Sequence, residues 1–171
     1  HDCQVSHRTI LANNAHLAGH VHVGHWSILG GFTCVHQFVR IGAHSMTGLG
    51  TVLSQDLPPF VMASGNMAAA HGVNAEGLKR RGFSPERIDA VKQMYRMLYR
   101  KSLTLDQARA EMAVLAGAAP AAAEDVAAML GFLAAALDTL IQGATYVVLS
   151  LLLMAVFILI PNLTSTPPSS P

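Results

Sequence analysis

The chain has 171 residues, 51% of them apolar and 12% charged, with a formal net charge of +1. That length holds one domain of ordinary size, or a small domain with an appendage. Near-neutrality excludes a bulk attraction to nucleic acid, and two cysteines in no ligand-like spacing, Cys3 and Cys34, point to a reducing compartment rather than a disulfide scaffold.

An internal repeat at the start of the chain decides the fold class. Stepping by six from Val5 meets Leu11, Leu17, Val23, Leu29, Val35, Ile41, Thr47 and Leu53. All but Thr47 are aliphatic. The next position in each hexad is small (Ser6, Ala12, Ala18, Gly24, Gly30, Gly42, Gly48, Ser54), with His36 the exception. Three residues further on stand Thr9, Ala15, Val21, Ser27, Thr33, Val39, Ser45 and Thr51, again small or β-branched. A period of six fits neither a flat strand nor a helix. It predicts a parallel β-helix over 1–56, in which each hexad makes one short strand and one corner of a three-sided prism, about eighteen residues per coil. About three coils fit, and the first leaves an unpaired strand edge. The opening residue is His rather than Met, so a piece of a longer chain is expected, with earlier coils covering that edge.

Residues 57–83 read as a loop or connector, with turn signals at Leu57-Pro58-Pro59-Phe60, Ser64-Gly65-Asn66 and Gly72-Val73-Asn74. A helical domain is expected over 84–140. Ser84 caps a helix with Pro85 at its first position. Ile88, Val91, Tyr95 and Leu98 form its apolar stripe, and Lys92, Arg96 and Arg100 a basic face. Thr104 and Asp106 open a second helix, and Ala121 to Leu140 is a third. Between Lys79 and Lys101 eight Lys or Arg face only Glu86 and Asp89, a pattern that calls for an acidic partner. In 141–160, the uncharged run from Gly143 to Ile160 is about long enough to span a bilayer. It reads either as a membrane anchor or as a frame-altered terminus. The Ser/Thr/Pro-rich 161–171 is expected to be disordered.

Folded onto an eighteen-residue coil, the histidines sort into lines. His1, His20 and His36 fall close to one vertical line, and His7, His25 and His44 on a second. A single surface histidine is ordinarily a solvated side chain. His36, however, occupies a slot that otherwise holds Gly, Ala or Ser, and such departures concentrate at functional sites. The first line also has Asp2 beside His1, able to orient an imidazole, and Gln37 beside His36. The second has no adjoining carboxylate, so the first is the candidate site. His20-x-His22-x-x-His25 looks like a metal-ligand set, but on a prism its members point to different faces, and no metal is expected.

Several segments together resemble the UDP-N-acetylglucosamine O-acyltransferases, which begin lipid A biosynthesis. They are Asn13-Asn14-Ala15, Leu17-Ala18-Gly19-His20-Val21, Gly30-Gly31, Val35-His36-Gln37-Phe38, Ile41-Gly42-Ala43, Asp56-Leu57-Pro58-Pro59, Gly65-Asn66 and, most specifically, Asn74 to Ser84. The likeness runs from His1 to about Gly117. It implies a left-handed β-helix followed by helices, and a cytoplasmic homotrimer with active sites between subunits. The implied reaction moves a 3-hydroxyacyl group from acyl carrier protein to the sugar 3-hydroxyl of UDP-N-acetylglucosamine without a cofactor. By resemblance His1 is the general base, Asp2 its orienting partner, and Gly19 the oxyanion donor. His20, His36 and Gln37 match substrate contacts, and Asn74, Glu76, Arg80 and Arg81 the nucleotide-sugar region. Leu49 aligns with a position that measures acyl length, where Gly leaves a longer groove, so a shorter acyl chain is implied. The basic face of Lys92, Arg96 and Arg100 suits docking of the acidic carrier protein. The upstream coils are absent and the tail after Leu140 is unlike the family, so the fragment alone is expected to be inactive. Two rival readings are a non-catalytic fragment tethered to a membrane through 143–160, and a hexapeptide-repeat metalloenzyme of the carbonic anhydrase type.

Overall fold

The computed structural model describes residues 1–138 together with Thr145, Val148 and Leu149, which are helical. Apart from those three, the apolar run 143–160 and the tail 161–171 lie outside the described residues. The chain divides into two compact units, His1–Leu133 and Ala134–Pro171, and the architecture below is that of the first.

Nine two-residue strands follow one another at intervals of six: β1 (Gln4–Val5), β2 (Ile10–Leu11), β3 (His16–Leu17), β4 (His22–Val23), β5 (Ile28–Leu29), β6 (Cys34–Val35), β7 (Arg40–Ile41), β8 (Met46–Thr47) and β9 (Val52–Leu53). Each of the first six pairs in parallel with the strand three later, so Gln4 lies against His22 and His22 against Arg40. The result is a prism of three faces, β1-β4-β7, β2-β5-β8 and β3-β6-β9. The second residue of each strand points inward. Val23, Leu29, Val35, Ile41 and Leu53 are all buried, each stabilising the coil by about 1.5–3 kcal/mol. Val5 and Leu11 of the first coil remain 46% and 45% exposed, because no coil stacks above them.

Thr47, the polar exception in this column, is fully buried and satisfied. Its hydroxyl meets Thr33 Oγ1 at 2.8 Å and accepts from Gly30 N at 3.0 Å. The small residues that follow each strand have a steric cause. A Cβ on Gly42 would lie 2.3 Å from Pro59 N, and one on Gly24 would lie 2.5 Å from Ala43 N.

The edges have a regularity of their own. Asp2, Arg8, Asn14, His20, Trp26, Phe32, Phe38 and His44 all have φ between 56° and 68°, and Gly50 continues the series at 66°. The left-handed conformation costs a non-glycine residue roughly 1–2 kcal/mol. Stacking offsets the cost, because the amide of each such residue from the second coil onward donates to a carbonyl one coil above. Examples are His20 N to His1 O, Trp26 N to His7 O and Phe38 N to Gly19 O. Residues other than glycine therefore occupy eight of these nine turns.

Residues 57–83 are not a bare connector. Strand β10 (Val61–Ser64) continues the second face in parallel on β8, and β11 (Ala69–Val73) pairs antiparallel with β10. Helix α1 (Ala75–Arg80) follows. The alternation is short and flanked by Pro58-Pro59 and Gly65, so turn chemistry masks it in the sequence. Helix α2 (Pro85–Tyr99) begins at Ser84, whose hydroxyl accepts from Arg87 N. Helix α3 (Leu105–Ala118) begins at Thr104 with a reciprocal Gln107 capping box. After a short 3-10 turn at Pro120–Ala122, residues 123–138 form helix α4.

Two apolar cores meet. The prism core takes Tyr95 from α2, and the helical core of Val91, Met94, Met112, Val126 and Met129 takes Phe60 from the last turn of the coil. Helix and prism thus form one packed unit, not separable domains. The stretch Pro120–Asp138 is long and apolar enough to cross a membrane by length and composition. In this fold its Ala122, Val126, Met129 and Leu133 are buried in the helical core. Asp125, 5% exposed, takes two bonds from Arg87, at 2.8 Å each.

Candidate functional site

The first edge of the prism, between faces β3-β6-β9 and β1-β4-β7, gathers His1, Asp2, Gly19 and His20. His1 Nδ1 donates to Asp2 Oδ2 at 2.6 Å. With the proton held on Nδ1 by an ionised carboxylate, Nε2 keeps its lone pair. The Nε2–Cε1 edge of the ring approaches Gly19, where an added Cβ would fall 2.7 Å from His1 Nε2. A side chain at this position would displace the imidazole from its place. His20 meets His1 edge to face, with centroids 5.1 Å apart. Its Nε2 stands 3.9 Å from Asp2 Oδ2.

The expected line of three imidazoles is altered in its third member. The register places Phe38 under His20, with rings stacked at 5.0 Å and 9°. His36 sits on the same edge but two residues earlier, exposed, its Nδ1 on the Gln37 carbonyl at 3.0 Å. Gln37 is exposed beside it. An offset of sixteen residues from His20 misses the vertical neighbour in a coil of eighteen.

His20, His22 and His25 do diverge, lying on the first edge, on a face and on the second edge respectively. A different trio converges: ligand atoms of His1, Asp2 and His20 lie within 4.8 Å of one another. That spacing is compatible with one ion. The 2.6 Å hydrogen bond already gives His1 and Asp2 an arrangement complete without a metal.

The nucleotide-sugar group is split from the first. Asn74 caps α1 at the second edge, between faces β1-β4-β7 and β2-β5-β8, and is 4% exposed. Its Oδ1 accepts from Gly77 N at 3.2 Å and its Nδ2 donates to His44 O at 3.1 Å. Both ends of the amide are thus engaged in anchoring the helix. Arg81 reaches the same edge, with Nη1 3.1 Å from His44 Nδ1 and its guanidinium 5.0 Å from the Trp26 ring centre. Glu76 and Arg80 are exposed on α1. Leu49 lies on the third edge, 78% exposed, its Cδ1 against Gly31.

The basic face of α2 is exposed or half-buried and partly engaged by its own helix. Lys92 pairs with Asp89 at 3.1 Å, Arg96 Nε donates to the Lys92 carbonyl, and Arg100 lies 5.9 Å from the Tyr95 ring centre. Surface pairs of this kind are weak and leave the patch available.

The sequence alone does not single out Trp26 or Arg8, marks Phe38 only within a family-like segment, and sets the line of His7, His25 and His44 aside in favour of the first. The signal that finds them is the six-residue spacing of the left-handed positions, read with an eighteen-residue offset.

Three parallel faces built on hexads, with a helical cap, define a β-helix of the hexapeptide-repeat class. The family described as UDP-N-acetylglucosamine O-acyltransferase, domain 2, matches residues 56–139. Acyl-[acyl-carrier-protein]–UDP-N-acetylglucosamine O-acyltransferases from Albidiferax ferrireducens and Thiobacillus denitrificans are 63% and 57% identical over 133 and 138 residues, covering 78% and 80% of this chain. The chain spans about half the length of these relatives, 50% and 51%. The crystal structure of UDP-N-acetylglucosamine O-acyltransferase from Moraxella catarrhalis superposes with a TM-score of 0.73 at 40% identity, over 78% of this chain and 50% of that one. The Arabidopsis UDP-N-acetylglucosamine acyltransferase gives 0.69 at 36%, over 77% and 46%. The chain belongs to the UDP-N-acetylglucosamine O-acyltransferase family, and its prism is the left-handed β-helix of that family.

Proposed function

We propose that this chain carries the base-bearing half of an acyltransferase that moves a 3-hydroxyacyl group from acyl carrier protein to the 3-hydroxyl of UDP-N-acetylglucosamine. The observation that supports it most directly is the His1–Asp2 pair, with Nε2 of the ring close to Gly19. His1 Nε2 takes the sugar hydroxyl proton as that oxygen attacks the thioester carbonyl. The carbon–sulfur bond then breaks, and the proton passes to the leaving thiolate. Asp2 holds the ring in the required tautomer and stabilises the imidazolium. The Gly19 N–H serves as donor to the oxyanion. His20, His36 and Gln37 line the sugar side on the same edge.

Arg80, Arg81 and Glu76 would reach the nucleotide portion, with Asn74 holding their helix in place. These groups stand at another edge of the prism from His1, so a complete site within this reading draws them from a neighbouring copy in a homotrimer. The free thiols Cys3 and Cys34 accord with a cytoplasmic setting. Lys92, Arg96 and Arg100 offer the acidic carrier protein a docking surface on α2.

The test is a chimaera that places the N-terminal half of the Albidiferax ferrireducens relative ahead of His1. Acyl transfer from carrier protein is expected, and His1→Ala should lower it by about 10²–10⁴-fold. A His1→Ala chimaera with unchanged turnover would remove the proposed base. Charge reversal of Lys92, Arg96 and Arg100 together should weaken carrier-protein binding at low salt, and the docking surface is abandoned if affinity stays the same.

A further inference from the structure

The second edge holds a cluster of which the proposed function uses only Arg81. The Trp26 ring has two guanidinium groups near it, Arg8 at 4.7 Å and Arg81 at 5.0 Å from its centre. His44 is stacked against Trp26 at 16° and 6.3 Å. It is only 8% exposed, packed between Phe60 and Phe83. His25, stacked in turn under His7, touches it edge to face.

A guanidinium has only donors, so the 3.1 Å contact between Arg81 Nη1 and His44 Nδ1 requires a lone pair on Nδ1. The imidazole must be neutral, with its proton on Nε2. Arg81 is therefore held twice, by an aromatic face and by one directed hydrogen bond, while its other N–H groups remain for an anion.

We infer that His44 and Trp26 are positioning residues that fix the Arg81 guanidinium for the diphosphate of a nucleotide sugar, a role that rests on the functional reading above. Every charged or titratable group facing His44 bears on its neutrality. Burial lowers its pKa most, Arg81 and His25 lower it further, Asp125 from α4 raises it, and Arg87 from α2 lowers it, leaving it at about 4. The acceptor is thus in place at neutral pH. Freedom lost in advance by Arg81 is freedom the ligand does not have to remove on binding.

The experiment uses the chain itself, ¹⁵N-labelled, with UDP-N-acetylglucosamine as probe. Imidazole NMR should show His44 as the Nε2–H tautomer at pH 7, and the Arg81 Nε–H signal should be ordered. His44→Phe keeps a ring of similar size but removes the acceptor, and should mobilise Arg81 and weaken probe binding by about tenfold. His44→Asn tolerates the left-handed backbone, offers an acceptor near the lost Nδ1 and should restore both. Trp26→Leu, which leaves the acceptor, should mobilise Arg81 as well. An Arg81 signal equally ordered in His44→Phe overturns the inference, as does a mobilised Arg81 with unchanged probe affinity. If the unaltered chain shows no probe binding, the nucleotide-sugar reading is what fails, and the Arg81 signal still decides whether His44 and Trp26 position it.

Discussion

The first and second edges of the prism share one backbone. Both turn through left-handed residues eighteen apart, both tie each turn to the coil above through an amide, and both stack rings down the edge. They differ in what covers them. His1, Asp2 and Phe38 face solvent, whereas His44 is sealed by α1, Phe83 and Phe60. The same geometry yields a chemically available imidazole where no element of the same chain covers it, and a structural one where a helix does. A column of histidines is thus not itself a site, and the cover decides which column can react.

The largest test of that contrast removes the cover. Arg87 stacks 3.9 Å from the Phe83 ring centre, and its two bonds to Asp125 tie α2 to α4. Arg87→Ala leaves the nearly buried Asp125 carboxylate without a partner, and should cost roughly 3–5 kcal/mol in urea unfolding. The loss should loosen His44 while His20 and Phe38 keep their amide protection. Equal loosening at both edges would mean the cover does not separate them.

The repeat was legible because a buried aliphatic must recur every six residues, and eight of nine do. Helix starts at Ser84 and Thr104 were legible because a cap is a local hydrogen bond. The hairpin at 61–73 was hidden by its flanking prolines and glycine. The replacement of His36 by Phe38 under His20 depends on an exact coil length, a quantity that small-residue patterns constrain only loosely. The Arg8–Trp26–Arg81 cluster was not legible at all, since Arg81 arrives from a helix whose docking depends on Asn74 and Phe83. Local signals carried the scaffold and the base, while long-range packing decided the second edge.

Acid titration gives the next largest effect. Burial holds native His44 at a pKa of about 4, whereas the unfolded residue titrates near the ordinary histidine value of 6.5. Above pH 6.5 both states are neutral at this site and no penalty exists. As pH falls from 6.5 to 4 the unfolded chain takes up the proton that the native state refuses, so stability declines by about 3 kcal/mol from this group alone. Urea midpoints for the protein and for His44→Asn should therefore converge across that window. Parallel pH profiles would show that the buried edge does not exclude the proton.

The smallest effect on stability belongs to the third edge, where Leu49 is 78% exposed and rests on Gly31. An exposed leucine contributes little burial, so Leu49→Gly should change stability by no more than about 1 kcal/mol, mostly through the backbone freedom glycine adds in the unfolded chain. Its functional effect should be disproportionate. In the chimaera, removing the side chain lengthens the groove and should shift preference towards donors with longer acyl chains. Competition between carrier proteins loaded with two acyl lengths reads this directly, and an unchanged ratio would take Leu49 out of the measuring role. An uncovered edge can change specificity without endangering the fold, because the coil is held by its inward aliphatic column and its amide ladder, neither of which Leu49 touches.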